Sequence, residues 1–242
     1  ASNLDEFYMV RVASLLSKLE SNPNSINSAG FTPGELLEAI SVRARELTLR
    51  HAKLFKDQIV AELANEKIEI IHWDGLSDEE RSHVSRIFSD RIFPVLTPLA
   101  VDPSHPFPYI SGLSLNLAVM VKNPKTAEEY FARVKVPPIL SRFIPVSPTP
   151  HSTRFLPLEE LIAIHLQELF PGMLIEDHYT FRITRNQDIE LEDEDTENLL
   201  TSIEQELARR RFGPPVRLEI ESGVGEKLRN KLCEQLNINP AN

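Results

Sequence analysis

Cysteine and glycine are scarce in this sequence. Among 242 residues there is one cysteine, Cys233, and there are eight glycines. A single cysteine excludes a disulfide framework and a thiolate metal cluster within the chain, which is typical of proteins from a reducing cytoplasm. The low glycine content, together with 41% hydrophobic and 26% charged residues, excludes a low-complexity or disordered chain. We therefore expect a folded protein with one large core or two smaller ones.

Basic residues and long apolar runs are also lacking. Lys and Arg number 26 against 36 Asp and Glu, which gives a formal net charge of −10. This balance argues against a general nucleic-acid binder, which needs a basic face. No apolar run approaches the roughly 18 residues of a membrane-spanning helix, so we expect no transmembrane segment. A polyanion could still bind, but only at a local cluster of Arg and Lys side chains.

The chain begins with a helical pattern. Its apolar residues fall on one stripe at three- and four-residue steps, namely Leu4, Tyr8, Val12, Leu15 and Leu19. Asn3, with Glu6 three residues later, is interpreted as the N-cap of this helix. Because no initiator Met precedes Ala1, we expect the chain to be a piece of a longer polypeptide.

Two capping boxes mark further helices. The first runs from Thr32 to Glu35 and has proline at the first helical position, and no helix breaker follows until about Lys67. A helix of roughly 33 residues is about 50 Å long, so its apolar stripe is expected to pack against the first helix as an antiparallel pair. The second capping box, at 77–80, opens a shorter helix that ends near Ile92.

After Pro108 the hydrophobic period changes from helical spacing to alternation. A hairpin of two strands is predicted near 115–122 and 130–136. A helix from about Pro157, a strand at 179–185, a helix at 194–211, a strand at 216–221 and a helix at 224–236 follow. This order predicts an α+β region with one sheet and helices on one face. The five prolines between Phe93 and Tyr109 are interpreted as a rigid, extended connector between the helical half and this mixed half.

Two groups of arginines are candidates for a polyanion site. Arg209, Arg210 and Arg211 close the helix that acidic residues open. They are interpreted either as a phosphate site or as charges that complement the helix dipole. On the strand at 179–185, Arg182 shares a face with Thr184, and Arg133 shares a face with Lys135 on its own strand. These two faces predict either a basic strip that binds a ligand or ordinary solvated sheet surface.

The histidines do not indicate a metal or catalytic site. None of the seven histidines has metal-ligand spacing. His51 and His165 lie on or near apolar stripes and are interpreted as packed core or boundary residues. No Ser/His/Asp arrangement is visible, so the residues themselves assign no catalytic residue and no metal ligand.

Six segments together resemble a known family. They are SNLDEFYMVRVASL at 2–15, FPVLTPLAVDPSHPFPYISGLSLNLAV at 93–119, YFARVKVP at 130–137, LFPGM at 169–173, FRITRN at 181–186 and ELARRRFGPPVRLEI at 206–220. In this order and over nearly the whole chain, they resemble bacterial polyphosphate kinase, an ATP-using family that extends phosphate chains.

The resemblance implies an α+β fold with two domains in this chain. An N-terminal antiparallel long-helix domain, residues 1–67 and incomplete at its start, would precede a mixed α+β head domain, residues 68–242. An opening segment is expected before Ala1, and the domains that carry the chemistry are expected after Asn242. The resemblance also implies homodimers or higher homo-oligomers, with the head domain contributing contacts, and a location in the cytoplasm or at the membrane periphery.

The resemblance further implies a reaction. The parent enzyme would reversibly transfer the γ-phosphate of ATP to inorganic polyphosphate through a phosphohistidine, aided by Mg²⁺. The histidine and the Mg²⁺ ligands are expected in the domains beyond Asn242, so this chain alone is expected to be inactive. It would serve as scaffold, dimerisation surface and part of the nucleotide pocket, where Asn3 corresponds to the asparagine that contacts the base. The alternative is a stand-alone, non-catalytic module that binds a protein partner or a polyanion.

Overall fold

Two helices joined by a short loop open the chain. The computed structural model describes residues 2–101, 107–147, 153–187 and 213–239. The first helix consists of α1 (Ser2–Phe7), a π-helical turn (Tyr8–Val12) and α2 (Ala13–Ser21). The long helix consists of α3 (Pro33–Leu54), a second π-helical turn (Phe55–Ile59) and α4 (Val60–Asn65). Both predicted helices are thereby confirmed.

The two helices run antiparallel, as predicted. Gly34 at the start of the long helix lies against Leu19 near the end of the first helix, whereas Leu47 and Leu4 line one cleft at the opposite end of the pair. The predicted capping box is present, because the Glu35 backbone N–H donates to Thr32 Oγ1 at 3.3 Å and the Thr32 N–H donates to the Glu35 carboxylate at 2.8 Å. The core between the helices contains Tyr8, Val12, Leu37 and Ala44.

The rest of the described chain is built on two sheets, not on the one sheet predicted. The strands are β1 (Glu69–Ile70), β2 (Pro98–Val101), β3 (Leu115–Lys122), β4 (Glu129–Lys135), β5 (Phe143–Pro145), β6 (Arg154–Pro157), β7 (Leu174–Arg185) and β8 (Pro215–Ile220). A five-stranded antiparallel sheet has the order β2-β4-β3-β7-β8, and a small sheet has the order β1-β6-β5. The helices are α5 (Asp78–Ile87), continued by turns to Val95, α6 (Leu158–Ile164), α7 (Leu166–Leu169) and α8 (Glu226–Leu236).

Helices cover both faces of the five-stranded sheet, so the expectation of one covered face was wrong. Leu117 and Val119 of β3 share a core with α5, α6 and α7. Ala118 and Met120, which point to the opposite face, share a second core with α8. Because β3 is central and buried on both faces, its alternate residues Ala118 and Met120 face a second core and not water.

The proline-rich stretch is partly a strand. Residues 98–101 form β2, which pairs antiparallel with β4 at the edge of the five-stranded sheet. Proline is tolerated there because Pro98 is the first residue of an edge strand and no ladder donor is needed from it. The extended geometry was predicted, but the interpretation as a connector was wrong for these four residues. Residues 102–106 lie outside the described residues, as do the predicted helix at 194–211 and its arginines Arg209, Arg210 and Arg211.

Glu80 connects the start of α5 to β6. Its carboxylate accepts a hydrogen bond from the Ser77 backbone N–H at 2.9 Å, as the second capping box predicted, and ion-pairs with Arg154. Burial works to raise the pKa of Glu80, but the hydrogen bonds from Ser77 and Arg154 outweigh it and lower this pKa below its ordinary value of 4.5.

Replacing Glu80 by glutamine is expected to lower the free energy of unfolding by about 1 kcal/mol at neutral pH. Because the pKa of Glu80 is depressed in the folded state, its contribution is complete above pH 4.5 and is lost as the pH falls through the lower folded-state value. Urea denaturation of the two proteins should therefore converge in acid. Glu79→Gln, which alters an exposed carboxylate in the same turn, is the control. A difference between Glu80→Gln and the parent chain that persists in acid would contradict the expectation.

Candidate functional site

A cleft of about 630 Å³ lies where α1, α3 and strands β7 and β8 meet. This volume is within the range of small-molecule sites. One wall is apolar and consists of Leu4, Phe7, Ile40, Ala44 and Leu47. The remaining lining residues are polar or charged, namely Asn3, Asp5, Arg43, Thr48, His51, Arg182, Arg217 and Glu219. The cleft thus combines an apolar surface with groups that can donate and accept hydrogen bonds.

Asn3, the predicted nucleotide-binding residue, lines this cleft. Its side chain is exposed, and it lies within the first turn of α1, which already includes Ser2. The interpretation of Asn3 as the N-cap was therefore wrong. An asparagine amide offers two N–H donors and a carbonyl acceptor, which leaves Asn3 able to contact the edge of a base from the rim of the cleft.

Arg182 extends from β7 to the first helix. Two of its N–H groups donate to the two carboxylate oxygens of Asp5 at 2.9 and 3.1 Å, and its Nε donates to Glu219 at 2.8 Å. Burial works against the charged guanidinium, but the carboxylates of Glu219 and Asp5 outweigh it and raise the pKa of Arg182. The contact of Arg182 with a polyanion stays a prediction. Such a ligand would compete with the carboxylates of Asp5 and Glu219 for the Arg182 guanidinium.

Arg217 holds the same region together from β8. Its guanidinium lies 4.8 Å from the centre of the Tyr8 ring, and it donates to Thr48 Oγ1 of the long helix at 3.2 Å. It also ion-pairs with Glu219 at 3.2 Å and lies 3.9 Å from Asp5. Burial raises the pKa of the Tyr8 hydroxyl, although the positive charge of Arg217 opposes the shift. One side chain therefore joins the sheet to both helices.

Sequence reasoning missed Asp5, Arg217 and Glu219. A signal was present at Asp5, because an acidic residue three positions before Tyr8 lies on the same side of the helix as the apolar stripe. Arg217 and Glu219 alternate along β8 in the same way as Arg182 and Thr184 along β7. The strand pattern does not show the register of β7 and β8, which places Arg182 opposite Glu219 and Thr184 opposite Arg217.

The predicted basic strip does not form. Residues that are paired across neighbouring strands point to the same face of a sheet. Asn116 of β3 is paired with Lys135 of β4 and with Phe181 of β7. Lys135, and with it Arg133 two residues earlier, therefore lies on the face of Phe181. Arg182 is the next residue along β7 and points to the other face. Arg133 is buried, donates to Asn116 Oδ1 at 2.8 Å, and has a pKa that burial lowers.

The two histidines singled out differ in environment. His165 is buried, stacks on Phe88 with ring centres 4.2 Å apart, and hydrogen-bonds the Leu161 carbonyl and the Ser85 hydroxyl, as the interpretation of a packed residue required. His51 is exposed at the cleft instead, so that interpretation was wrong for His51. Across the described ranges, no group of three or more His, Cys, Asp and Glu side chains could hold a metal ion.

Comparisons with known proteins agree on one family. A family model described as the polyphosphate kinase N-terminal domain matches residues 1–71, and one described as the polyphosphate kinase middle domain matches residues 79–242. Polyphosphate kinase from Streptomyces coelicolor is 53% identical over 241 residues, which cover 100% of this chain and 32% of that protein. The Mycobacterium tuberculosis polyphosphate kinase is 48% identical, covering 99% of this chain and 34% of that protein.

A solved structure shares the fold. The crystal structure of polyphosphate kinase from Porphyromonas gingivalis superposes with a TM-score of 0.77 at 25% identity, over 100% of this chain and 33% of that one. The chain therefore spans about a third of the length of these relatives. In the described part of this chain, no helix combines the length and the apolar character that crossing a membrane requires. By its sequence and its fold, the chain belongs to the polyphosphate kinase family and comprises the N-terminal and middle domains of that family.

Proposed function

We propose that this chain is the nucleotide-side scaffold of an enzyme that reversibly transfers the γ-phosphate of ATP to inorganic polyphosphate. Family membership supports the reaction, and the observation that carries the role of this chain is the position of Asn3 on the rim of an apolar-walled cleft. The apolar wall suits the face of a base, and the amide suits its polar edge. This chain spans about a third of the length of its relatives, and the groups that react are proposed to lie outside it, because the family resemblance implies a nucleophilic histidine there.

The proposed chemistry proceeds in two transfers. A histidine nitrogen outside this chain attacks the γ-phosphorus of ATP, the bond from that phosphorus to the bridging oxygen breaks, and ADP leaves. The phosphoryl group then passes from the histidine to the terminal oxygen of polyphosphate, which restores the free histidine. Mg²⁺ would neutralise charge on the phosphates, and its ligands are proposed, from the family resemblance, to lie in the part of the parent protein outside this chain.

The same proposal assigns a separate role to each of the two domains. Residues 1–67 form the helical domain that carries Asn3, and residues 68–242 form the head domain that supports it and supplies contacts between copies. The parent protein is proposed to be a homodimer or higher homo-oligomer in the cytoplasm. Arg209, Arg210 and Arg211 remain proposed polyanion contacts, and salt-dependent polyphosphate binding by the parent protein would be the expected consequence.

The test is phosphate transfer from γ-labelled ATP with Mg²⁺, assayed on this chain and on the full product of its gene. Labelled polyphosphate is expected from the full protein and not from this chain. Label transferred by this chain alone would contradict the assignment of the nucleophile to the remainder. Each sample is checked by circular dichroism, so that loss of folding is not mistaken for loss of activity.

A second candidate function is a non-catalytic module that binds a protein partner. It is favoured by the C-terminal part of the long helix, where three apolar side chains are exposed: Leu54 by 46%, Phe55 by 43% and Ile59 by 38%. Scattered exposed apolar residues are common, but several on one helix indicate a contact surface. Absence of labelled polymer from both folded proteins would favour this function over the enzyme.

A further inference from the structure

We infer that Asp5 is a positioning residue for the nucleotide: its carboxylate fixes the turn of α1 that presents Asn3 to the base. This inference rests on the proposed function, in which Asn3 contacts the base, and adds that Asp5 holds Asn3 in place. Asp5 itself is not proposed to touch the ligand.

Asp5 is the one buried residue of α1, whose other residues are exposed or, in the case of Leu4, half-buried. Its residue is only 6% exposed, while Asn3 and Glu6 on the same turn are exposed. Both of its carboxylate oxygens accept from one guanidinium, that of Arg182, at 2.9 and 3.1 Å. Such a bidentate pair restricts orientation as well as distance. The turn is therefore attached to the sheet by a contact with defined geometry.

Arg182 is a rigid anchor because it is held from several sides. It lies in β7, which pairs with β3 on one side and with β8 on the other. Its Nε donates to Glu219, the residue directly opposite it on β8. Because the guanidinium is planar, contacts to Asp5 and Glu219 together leave it little freedom to rotate.

A second attachment follows three residues later on the first helix. The Tyr8 ring packs on Arg217, and Arg217 is fixed in turn by Glu219 and by Thr48 of the long helix. Attachments at residues 5 and 8 are almost one helical turn apart. Together they determine both the rotation and the axial position of the segment that carries Asn3.

Precise placement is what an amide contact to a base requires. A positioning shell must hold a binding group within about 0.5 Å of its working geometry. Removing one partner of a buried ion pair is destabilising because the other charge is left uncompensated, but the intact pair contributes little compared with apolar replacement of both partners. The Asp5 cluster is therefore better explained by the geometry it imposes. A change at Asp5 is therefore expected to weaken ATP binding without altering the transfer step.

The experiment is a double-mutant cycle of Asn3→Ala and Asp5→Asn in the full product of the gene, with steady-state kinetics. Each single change is expected to raise KM for ATP about fivefold, the effect of losing one hydrogen bond. The double variant is expected to match the larger single effect, because Asp5 acts through Asn3. The values of kcat and of KM for polyphosphate should stay within about twofold. Glu6→Gln removes the same charge from an exposed position on the same turn and should leave KM for ATP unchanged.

The outcomes separate the inference from the proposed function. An unchanged KM for ATP in Asn3→Ala would overturn the base contact and the inference with it. A raised KM in Asn3→Ala with no effect of Asp5→Asn, or with effects that multiply in the double variant, would overturn the inference alone. If Asp5→Asn raised KM for ATP and KM for polyphosphate equally, the change would have disrupted the protein in general, and the inference would be overturned as well.

A second variant covers the case in which Asp5→Asn does not fold. Arg182→Lys keeps the positive charge and the ion pair but removes the bidentate fork. It is expected to raise KM for ATP in the same way while the protein remains folded by circular dichroism. A folded Arg182→Lys variant with an unchanged KM for ATP would overturn the inference.

Discussion

Replacement of Phe88 by alanine is expected to lower the free energy of unfolding by about 4 kcal/mol. Phe88 is fully buried in the core between α5 and the five-stranded sheet. Its ring stacks on His165 with centres 4.2 Å apart and meets Phe93 edge to face at 6.0 Å. The alanine variant would lose the transfer energy of the ring and leave a cavity that close-packed neighbours cannot fill. Urea denaturation followed by circular dichroism measures the loss.

Phe93→Ala provides a matched control for Phe88→Ala. The same side chain is removed five residues later, but Phe93 is 41% exposed. Its loss is expected to cost about 1 kcal/mol, because much of the ring is in water already. Equal losses from the two variants would show that the core described here does not carry the stability of this region.

Replacement of Arg217 by methionine is expected to lower the free energy of unfolding by about 3 kcal/mol. Methionine preserves most of the side-chain length and removes the charge. The carboxylates of Asp5 and Glu219 would then share Arg182 alone, while the contacts to Tyr8 and Thr48 would also be weakened. Because Arg217 joins β8 to both helices, the helical pair should become easier to cleave by protease than the sheet in this variant. Denaturation and limited proteolysis measure the two effects.

Arg43→Met is the matched control for Arg217→Met. Arg43 lines the same cleft from the long helix, but its side chain is 63% exposed and its ion pair with Glu46 is on the surface. Such pairs contribute about 0.5 kcal/mol. If Arg217→Met were as stable as Arg43→Met, the cluster around Asp5 would not hold the helices to the sheet.

Elements whose signals are local were predicted well from the sequence. Each capping box satisfies the free N–H groups at a helix start within four residues of chain, so the starts of α3 and α5 could be predicted. The hairpin of β3 and β4 has a short turn and alternating strands, which again depend on neighbours in sequence. The family resemblance, carried by six segments over nearly the whole chain, was confirmed by both family matches.

Predictions about how strands and helices are arranged in the sheets were wrong, although the antiparallel pairing of the first two helices was confirmed. The order of helices and strands was interpreted as one sheet with helices on one face, whereas β3 has apolar residues at both parities and is covered on both faces. The edge position of β2 and the separate small sheet follow from strand pairing across the chain. The hydrophobic pattern within one strand does not show which other strand it pairs with.

The sequence by itself determined the starts of α3 and α5, the main strands, the family and the candidate nucleotide-binding residue, Asn3. Only the tertiary structure decided that Asn3 lines a cleft and that Asp5 supports its turn. The physical reason is separation along the chain: a cap is completed within a few residues, whereas the Asp5–Arg182 pair joins residues 177 positions apart. Such a pair exists only after β7, β8 and both helices have packed, because packing brings the charges within hydrogen-bond distance and removes the water around them.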